Sequence, residues 1–271
     1  MMALRSDRTR RLTLGIIGLG SFGRFIAEHL APHFETSFYD PVITETPTSL
    51  AGLLRPAAMS EVAGSDVVLL AMPVQRLSAA VDAISPLLRP GALVLDVCSV
   101  KTHPLDVLSR LPAHVDVIGT HPLFGPQSGK SGLAGLTIAL VALRGSRLRL
   151  TKRFLERAFG LQVDVTTAER HDREMAHVQG LTHLITKAIL TMRKPDISLR
   201  TVTYEHLETM VDMLRHDSDD LFRAICVENP YVAEVVDAFS TAVESVSARI
   251  ELHHSEVPTT GRERSLIRRI A

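Results

Sequence analysis

The chain has 271 residues, of which 45% are hydrophobic and 22% charged, proportions that fit one large or two modest globular domains with a well-formed core. Thirty Lys and Arg balance thirty Asp and Glu, so no net field draws the protein to nucleic acid or to an anionic membrane. Two cysteines, Cys98 and Cys226, cannot build a disulfide framework, and no stretch reaches the roughly 18 apolar residues of a membrane span.

Arg5, Arg8, Arg10 and Arg11 run straight into a strand with no apolar signal core, so a cytoplasmic protein with reduced thiols is expected. Leu12 to Ile17 is the first buried strand, Ser21 to Phe34 a helix and Thr36 to Asp40 a second strand. Strands at Asp66 to Met72, Ala92 to Asp96 and Val115 to His121 alternate with helices at Arg76 to Leu88 and Pro104 to Leu111. Leu136 to Val141 and Gln162 to Val165 extend the sheet around a helix from Ser146 to Phe159. Continuous apolar strands alternating with amphipathic helices predict an α/β fold, a Rossmann-type doubly wound, mainly parallel sheet covered on both faces. Beyond Thr167 strand signals vanish and helical periodicity takes over, with Pro230 in the first turn of a helix reaching about Leu252. The expected division is a nucleotide-binding domain over 1–167, a helical domain over 168–255 and a basic tail over 256–271.

Gly18-Leu19-Gly20-Ser21-Phe22-Gly23 follows one predicted strand and opens a helix, and Asp40 ends the next strand, which is the context a dinucleotide-binding turn requires. Gly18 permits the tight turn, Gly20 admits a pyrophosphate, and Gly23 allows close helix–strand packing. The phosphates would meet the N–H groups around Ser21 and Phe22 at the helix N-terminus. Asp40 would accept the ribose hydroxyls and repel a 2′-phosphate, so NAD is favoured over NADP. Met72, Pro73 and Val74 should lie along the nicotinamide or its ribose, although Pro73 also serves to end a strand and begin a helix.

His121 ends a strand just before Pro122 and a Gly/Pro loop, on the sheet edge where doubly wound folds bind ligands. A titratable His beside a redox cofactor suggests that a proton and a hydride leave one carbon centre, which is alcohol oxidation. Ser99 and Lys101 follow a neighbouring strand in the same way; a capping serine and a surface lysine are the plainer readings of that pair. Asp172, Ala176, Gln179 and His183, spaced 4, 3 and 4, form one stripe of a helix, with Val178, Leu181, Ile185 and Ala188 opposite. Periodicity alone explains that stripe equally well as a solvated polar face. The histidines show no ligand spacing, so no metal is implied.

Ser-Val-Lys (99–101), His-Pro-Leu-Phe-Gly-Pro-Gln-Ser-Gly (121–129), Glu-Arg-His-Asp (169–172) and Gln-Gly-Leu-Thr-His (179–183) together resemble the prephenate and arogenate dehydrogenases of tyrosine biosynthesis. The resemblance runs from about Leu14 to Ile250, and the motifs stand in the family's order. It implies a helical dimerisation domain, hence a homodimer, and an active site that takes prephenate or arogenate. His121 would accept the proton of the ring hydroxyl, Ser99 would hydrogen-bond that hydroxyl or His121, and Lys101 would supply positive charge. Gln179 and His183 would orient the substrate from the helical side, with Gln127 and Ser128 as further substrate contacts. The family's carboxylate-binding Arg is missing, since Asp212 or Met213 stands at its place and Arg215 is out of register. Tyr204-Glu205, Asp217-Ser218, Leu221-Phe222 and Asn229 look more like the plant-type arogenate enzymes, which use NADP and tend to carry an Arg where this chain has Phe38.

The expected activity is therefore NAD-dependent oxidative decarboxylation of a cyclohexadienol acid, prephenate to 4-hydroxyphenylpyruvate or arogenate to tyrosine. On the stripe that the resemblance turns toward the substrate, Asp172 would pair with the ammonium of arogenate or else cap its own helix; the first role would make arogenate at least as good a substrate as prephenate. Turnover is expected to rise with pH through histidine's ordinary range, about 6.5. Alternatives are a dehydrogenase of another small acid, such as a β-hydroxyacid or imine, and a non-catalytic NAD-sensing module. The basic ends are expected to be solvated tails.

Overall fold

The computed structural model describes residues 10–193, 197–215 and 217–256. Arg5, Arg8 and the basic residues after Glu256 lie outside them. Eight strands are present: β1 (Thr13–Ile17), β2 (Glu35–Tyr39), β3 (Leu54–Pro56), β4 (Val67–Leu70), β5 (Leu93–Asp96), β6 (Asp116–Pro122), β7 (Thr137–Arg144) and β8 (Gln162–Val165). They form one sheet in the order β3-β2-β1-β4-β5-β6-β7-β8. Every pairing is parallel except that of β6 with β7, which is antiparallel.

The apolar runs of β1 and β4 are buried on both faces because side chains alternate across the sheet. Val67 and Leu69 join one apolar cluster with Leu14 and Ile16, whereas Val68 and Leu70 join the other with Ile17. Helix α1 (Ser21–Leu30) covers the sheet with Gly23, Ile26 and Ala27, and α3 (Val74–Ile84) does so with Val74, Leu77, Val81 and Ile84, the 3- and 4-residue spacing of one helical face. A three-residue strand, β3, and the five-residue α2 (Met59–Ala63) were not foreseen, being too short to display a period. The chain reverses its direction of growth between β1 and β4, so the carboxyl ends of these strands frame a crevice. Helix α4 (Thr102–Leu108) leads from β5 to β6, and α5 (Leu148–Phe159) from β7 to β8.

The helical part comprises α6 (Ala168–Met175), a π-helical turn over Ala176–Leu181, α7 (Thr182–Thr191), α8 (Val202–Leu214), α9 (Asp219–Cys226) and α10 (Val232–Glu256). Thr167, Thr201 and Ser218 cap α6, α8 and α9, each side-chain oxygen accepting a backbone N–H three residues on at 3.2 Å. The described residues up to Val232 form one compact unit, holding the sheet and α6 to α9, and those from Ala233 onward form a second. Among the described residues no helix is long and apolar enough to cross a membrane. Arg10 is no loose tail: it pairs with the Asp66 carboxylate at 2.9 Å, while Arg11 donates to the Ala31 carbonyl.

Candidate active site

The glycine turn joins β1 to α1 at the mouth of the crevice. Gly18 has φ +98°, and a Cβ there would lie 2.4 Å from the Ala71 carbonyl oxygen; one at Gly23 would lie 2.3 Å from that of Gly18. Neither position tolerates a side chain. Gly20, by contrast, faces open space, and it caps α1 with no side-chain bond and no acidic residue in the first turn. The backbone N–H groups there, beside exposed Ser21 and half-buried Phe22, make an anion cradle that a phosphate fits.

Asp40 does more than face a ribose. Its Oδ2 accepts the Leu19 N–H at 2.8 Å, and its Oδ1 those of Val42 and Ile43 at 2.8 and 3.0 Å, so the carboxylate ties the glycine turn to the loop after β2. Burial works to raise its pKa, but these N–H donors and Arg76 outweigh it and hold the carboxyl below its ordinary value. Phe38, only 1% exposed, belongs to the core, so an Arg at that position has no route to a cofactor phosphate. Beyond β4, Met72 is half-buried and Pro73 exposed, whereas Val74 turns into the core under α3 and away from any ligand.

His121 is buried at the end of β6 and stands at the head of a hydrogen-bonded chain. Its Nδ1 lies 2.8 Å from His171 Nε2, and His171 Nδ1 lies 2.8 Å from Asp172 Oδ1. Gln179 Nε2 is 3.5 Å from the other ring nitrogen of His121. Burial first, then the neighbouring His171 and Lys101, hold the His121 pKa well below histidine's ordinary range. The ring is neutral at physiological pH and ready to accept a proton, so the expected titration near the ordinary value gives way to one at lower pH.

Two residues expected to contact substrate are instead structural. The Asp172 carboxylate is fully buried and filled by donors: Lys101 N at 2.7 Å and His171 on Oδ1, Thr102 N at 2.8 Å on Oδ2. Buried and already accepting three donors, the carboxylate is out of reach of a substrate ammonium. Lys101 is likewise fully buried, its Nζ donating to the Asp96 carboxylate and, at 2.7 Å, to the Thr120 carbonyl. Its charge reaches His121 through space but not a substrate carboxylate. Ser99 is half-buried in the β5–α4 turn, with no hydrogen bond to His121 among the described residues. Gln127 and Ser128 are exposed on the loop after β6, where the Ser128 hydroxyl accepts the Gly125 N–H.

The polar stripe of α6 and α7 is the inward face. Asp172, Ala176 and His183 are buried, while Val178 on the opposite side is 57% exposed. A π turn at Gln179 inserts one extra residue into this helix, a distortion often found at functional sites. Gln179 Oε1 is buried without a hydrogen-bond partner among the described residues, as suits a group waiting for a ligand's donor. His183 Nδ1 lies 2.8 Å from the Gln179 carbonyl oxygen, and its Nε2 lies 3.2 Å from Asp217 Oδ2, in the turn between α8 and α9. His171 and Asp217, the partners of His121 and His183, carried no role in the sequence. The adjacent His-Asp pair in Glu-Arg-His-Asp was the available signal for the first; nothing local marks the second. Arg215 is turned to Asp212 at 2.8 Å.

The nucleotide-binding domain of prephenate dehydrogenase matches residues 51–138, and its dimerization domain matches residues 167–260, together more than half of the chain. The chain belongs to the prephenate dehydrogenase family. Among relatives, this prephenate dehydrogenase homologue is 28% identical over 263 residues to arogenate dehydrogenase 1, chloroplastic, of Arabidopsis thaliana, and 26% identical over 266 residues to arogenate dehydrogenase 2 of the same plant. The matches take in 89% and 90% of this chain but 39% and 71% of those proteins. The crystal structure of prephenate dehydrogenase from Aquifex aeolicus, in complex with hydroxyphenyl propionate and NAD+, shares the fold with a TM-score of 0.70 at 21% identity, covering 97% of this chain and 99% of that one.

Proposed function

We propose that the protein is an NAD-dependent dehydrogenase that oxidatively decarboxylates a cyclohexadienol acid, prephenate or arogenate, in tyrosine biosynthesis. The observation that carries the reading is His121, a neutral, buried base at the carboxyl edge of a sheet whose glycine turn fits a dinucleotide. The Aquifex relative's NAD+ complex and the plant relatives' names support the cofactor and substrate class.

In this reading Gly18, Gly20 and Gly23 shape the cradle, the N–H groups at the start of α1 hold the phosphates, and Asp40 steadies the turn while disfavouring a 2′-phosphate. NAD, when bound, supplies the hydride acceptor. His121 takes the proton of the substrate's ring hydroxyl, Gln179 and His183 orient the ring from the helical side, and the buried wall of β6 excludes water. Loss of carbon dioxide leaves an aromatic ring, so the protein mainly has to position the reactants and accept one proton. General-base help of this kind is worth about 10²–10⁴-fold.

Arogenate is proposed as the better substrate. Asp217, 27% exposed on its side chain and joined to His183, is the acidic group placed to face an ammonium, a role that passes to it from Asp172. A homodimer fits the matched dimerization domain and the exposed apolar residues of the helical part, Val178, Met213 and Val227 among them. Buried Cys98, whose thiol pKa is pushed up by burial, suits a reducing compartment such as the cytoplasm. The deciding assay is NADH formation by the purified protein with prephenate and with arogenate. Turnover of either supports the reading; tight NAD binding with no turnover of both points to a sensing module and refutes it.

A further inference from the structure

The buried chain behind His121 has a direction, and the direction follows from its far end. A carboxylate only accepts hydrogen bonds, so the His171 Nδ1 that touches Asp172 Oδ1 at 2.8 Å must carry a hydrogen. A neutral His171 then has its lone pair on Nε2, 2.8 Å from His121 Nδ1, and that nitrogen must carry a hydrogen in turn. The lone pair of His121 is left on Nε2, the nitrogen that Gln179 approaches with its amide at 3.5 Å.

Asp172 is itself held from three sides, by the N–H groups of Lys101 and Thr102 on its carboxylate and by the Asn229 side chain on its backbone carbonyl at 2.8 Å. These contacts join α6 to the start of α4 and to the segment before α10, so the anchor cannot swing. His171 is as buried as its partners. We infer that His171 and Asp172 are positioning residues that fix the tautomer and the ring plane of His121, leaving Nε2 bare to take the substrate proton. The inference rests on the proposed role of His121 as base. Without an acceptor at Nδ1 the ring would populate both tautomers and turn about its own bond, and only part of the population would present a lone pair to the substrate.

The test uses the full-length protein with NAD bound and compares His171→Phe, which keeps a ring but neither hydrogen bond, with His171→Gln, which restores an acceptor and a donor. Histidine labelled with ¹⁵N, with the His121→Asn spectrum for assignment, reports which ring nitrogen carries the hydrogen. His121 should read as Nδ1–H in the unmodified protein. In His171→Phe it should become a mixture, with kcat lower by about tenfold or more as the competent fraction falls and KM and NAD affinity changed by less than about threefold. His171→Gln should regain most of the lost kcat. A purely structural role would move melting temperature and kcat together in both variants and spare the distinction between them.

An Nε2–H ring in the unmodified protein overturns the inference even where no variant folds. So does a folded His171→Phe protein with kcat near that of the parent, or equal loss in the Phe and Gln variants. The base reading fails separately: turnover retained in His121→Asn overturns both, whereas an inactive His121→Asn beside an unimpaired His171→Phe removes the positioning role alone.

Discussion

Lys101→Met separates a structural lysine from a substrate-binding one. Lys101 and Asp96 form an ion pair with both side chains fully buried. Methionine fills much the same apolar volume, so little cavity is created, but the Asp96 carboxylate loses its cation and keeps neutral donors such as the N–H groups of Cys98 at 2.9 Å and Thr120 at 3.3 Å. The Thr120 carbonyl also loses its donor. Removing one partner of a buried pair costs about 3–5 kcal/mol, since an uncompensated charge stays inside. Against a total stability of about 5–15 kcal/mol that is a large fraction. Urea unfolding of the NAD-free protein at one fixed concentration, extrapolated linearly, reads the loss. Replacing both partners, Lys101→Met with Asp96→Leu, should recover a substantial share, because the desolvated carboxylate goes too. A Lys101→Met protein less stable than the parent by under about 1 kcal/mol, but with a raised KM for the substrate, would show that the lysine meets substrate and is not structural.

Since burial and its neighbours hold His121 below its ordinary pKa, kcat/KM should be flat from about pH 6.5 upward and fall only in more acid solution; an inflection at or above about 6.5 refutes the argument. The sign for stability follows: the unfolded ring takes up a proton below about pH 6.5 that the folded ring refuses, so stability declines as pH falls toward the folded-state value, and His121→Asn should be less acid-sensitive in a series of melting curves. Asp40→Ser should narrow the preference for NAD over NADP and also lower the melting temperature, three backbone donors having lost their acceptor; adding Phe38→Arg should cause unfolding in place of a cofactor switch, and equal use of both cofactors by the parent counts against the role of Asp40. Asp217→Asn should reduce kcat/KM for arogenate relative to prephenate by about tenfold or more, the worth of one charge-assisted hydrogen bond of about 1.5–3 kcal/mol; unchanged selectivity sinks the assignment. Light scattering at micromolar concentration should give the mass of a dimer, since Val243, Val246 and Ile250 on α10 are exposed in the single chain; a monomer refutes it.

Local features of the sequence carried most of the architecture. Apolar runs such as Val67 to Leu70 and the glycines at 18, 20 and 23 are periodic or sterically forced within a few residues, so strand, turn and helix followed from the chain itself. His121 was legible for the same reason, since a strand's carboxyl end in a doubly wound sheet is a position that pattern alone locates. The antiparallel entry of β7 was not legible, because an apolar strand reads the same in either direction. What the tertiary structure alone decided is which charged groups are free. Asp172 and Lys101 looked available on a helix stripe and after a strand, but Thr102 reaches Asp172, and Asp96 and Thr120 reach Lys101, from separate elements. Asp217 reaches His183 across 34 residues of chain, and His171 reaches His121 across 50. Side-chain type and local period are properties of neighbours along the chain, whereas burial and hydrogen-bond saturation belong to neighbours in space. A carboxylate's role as anchor or as ligand turns on the second kind, and here that makes Asp172 an anchor.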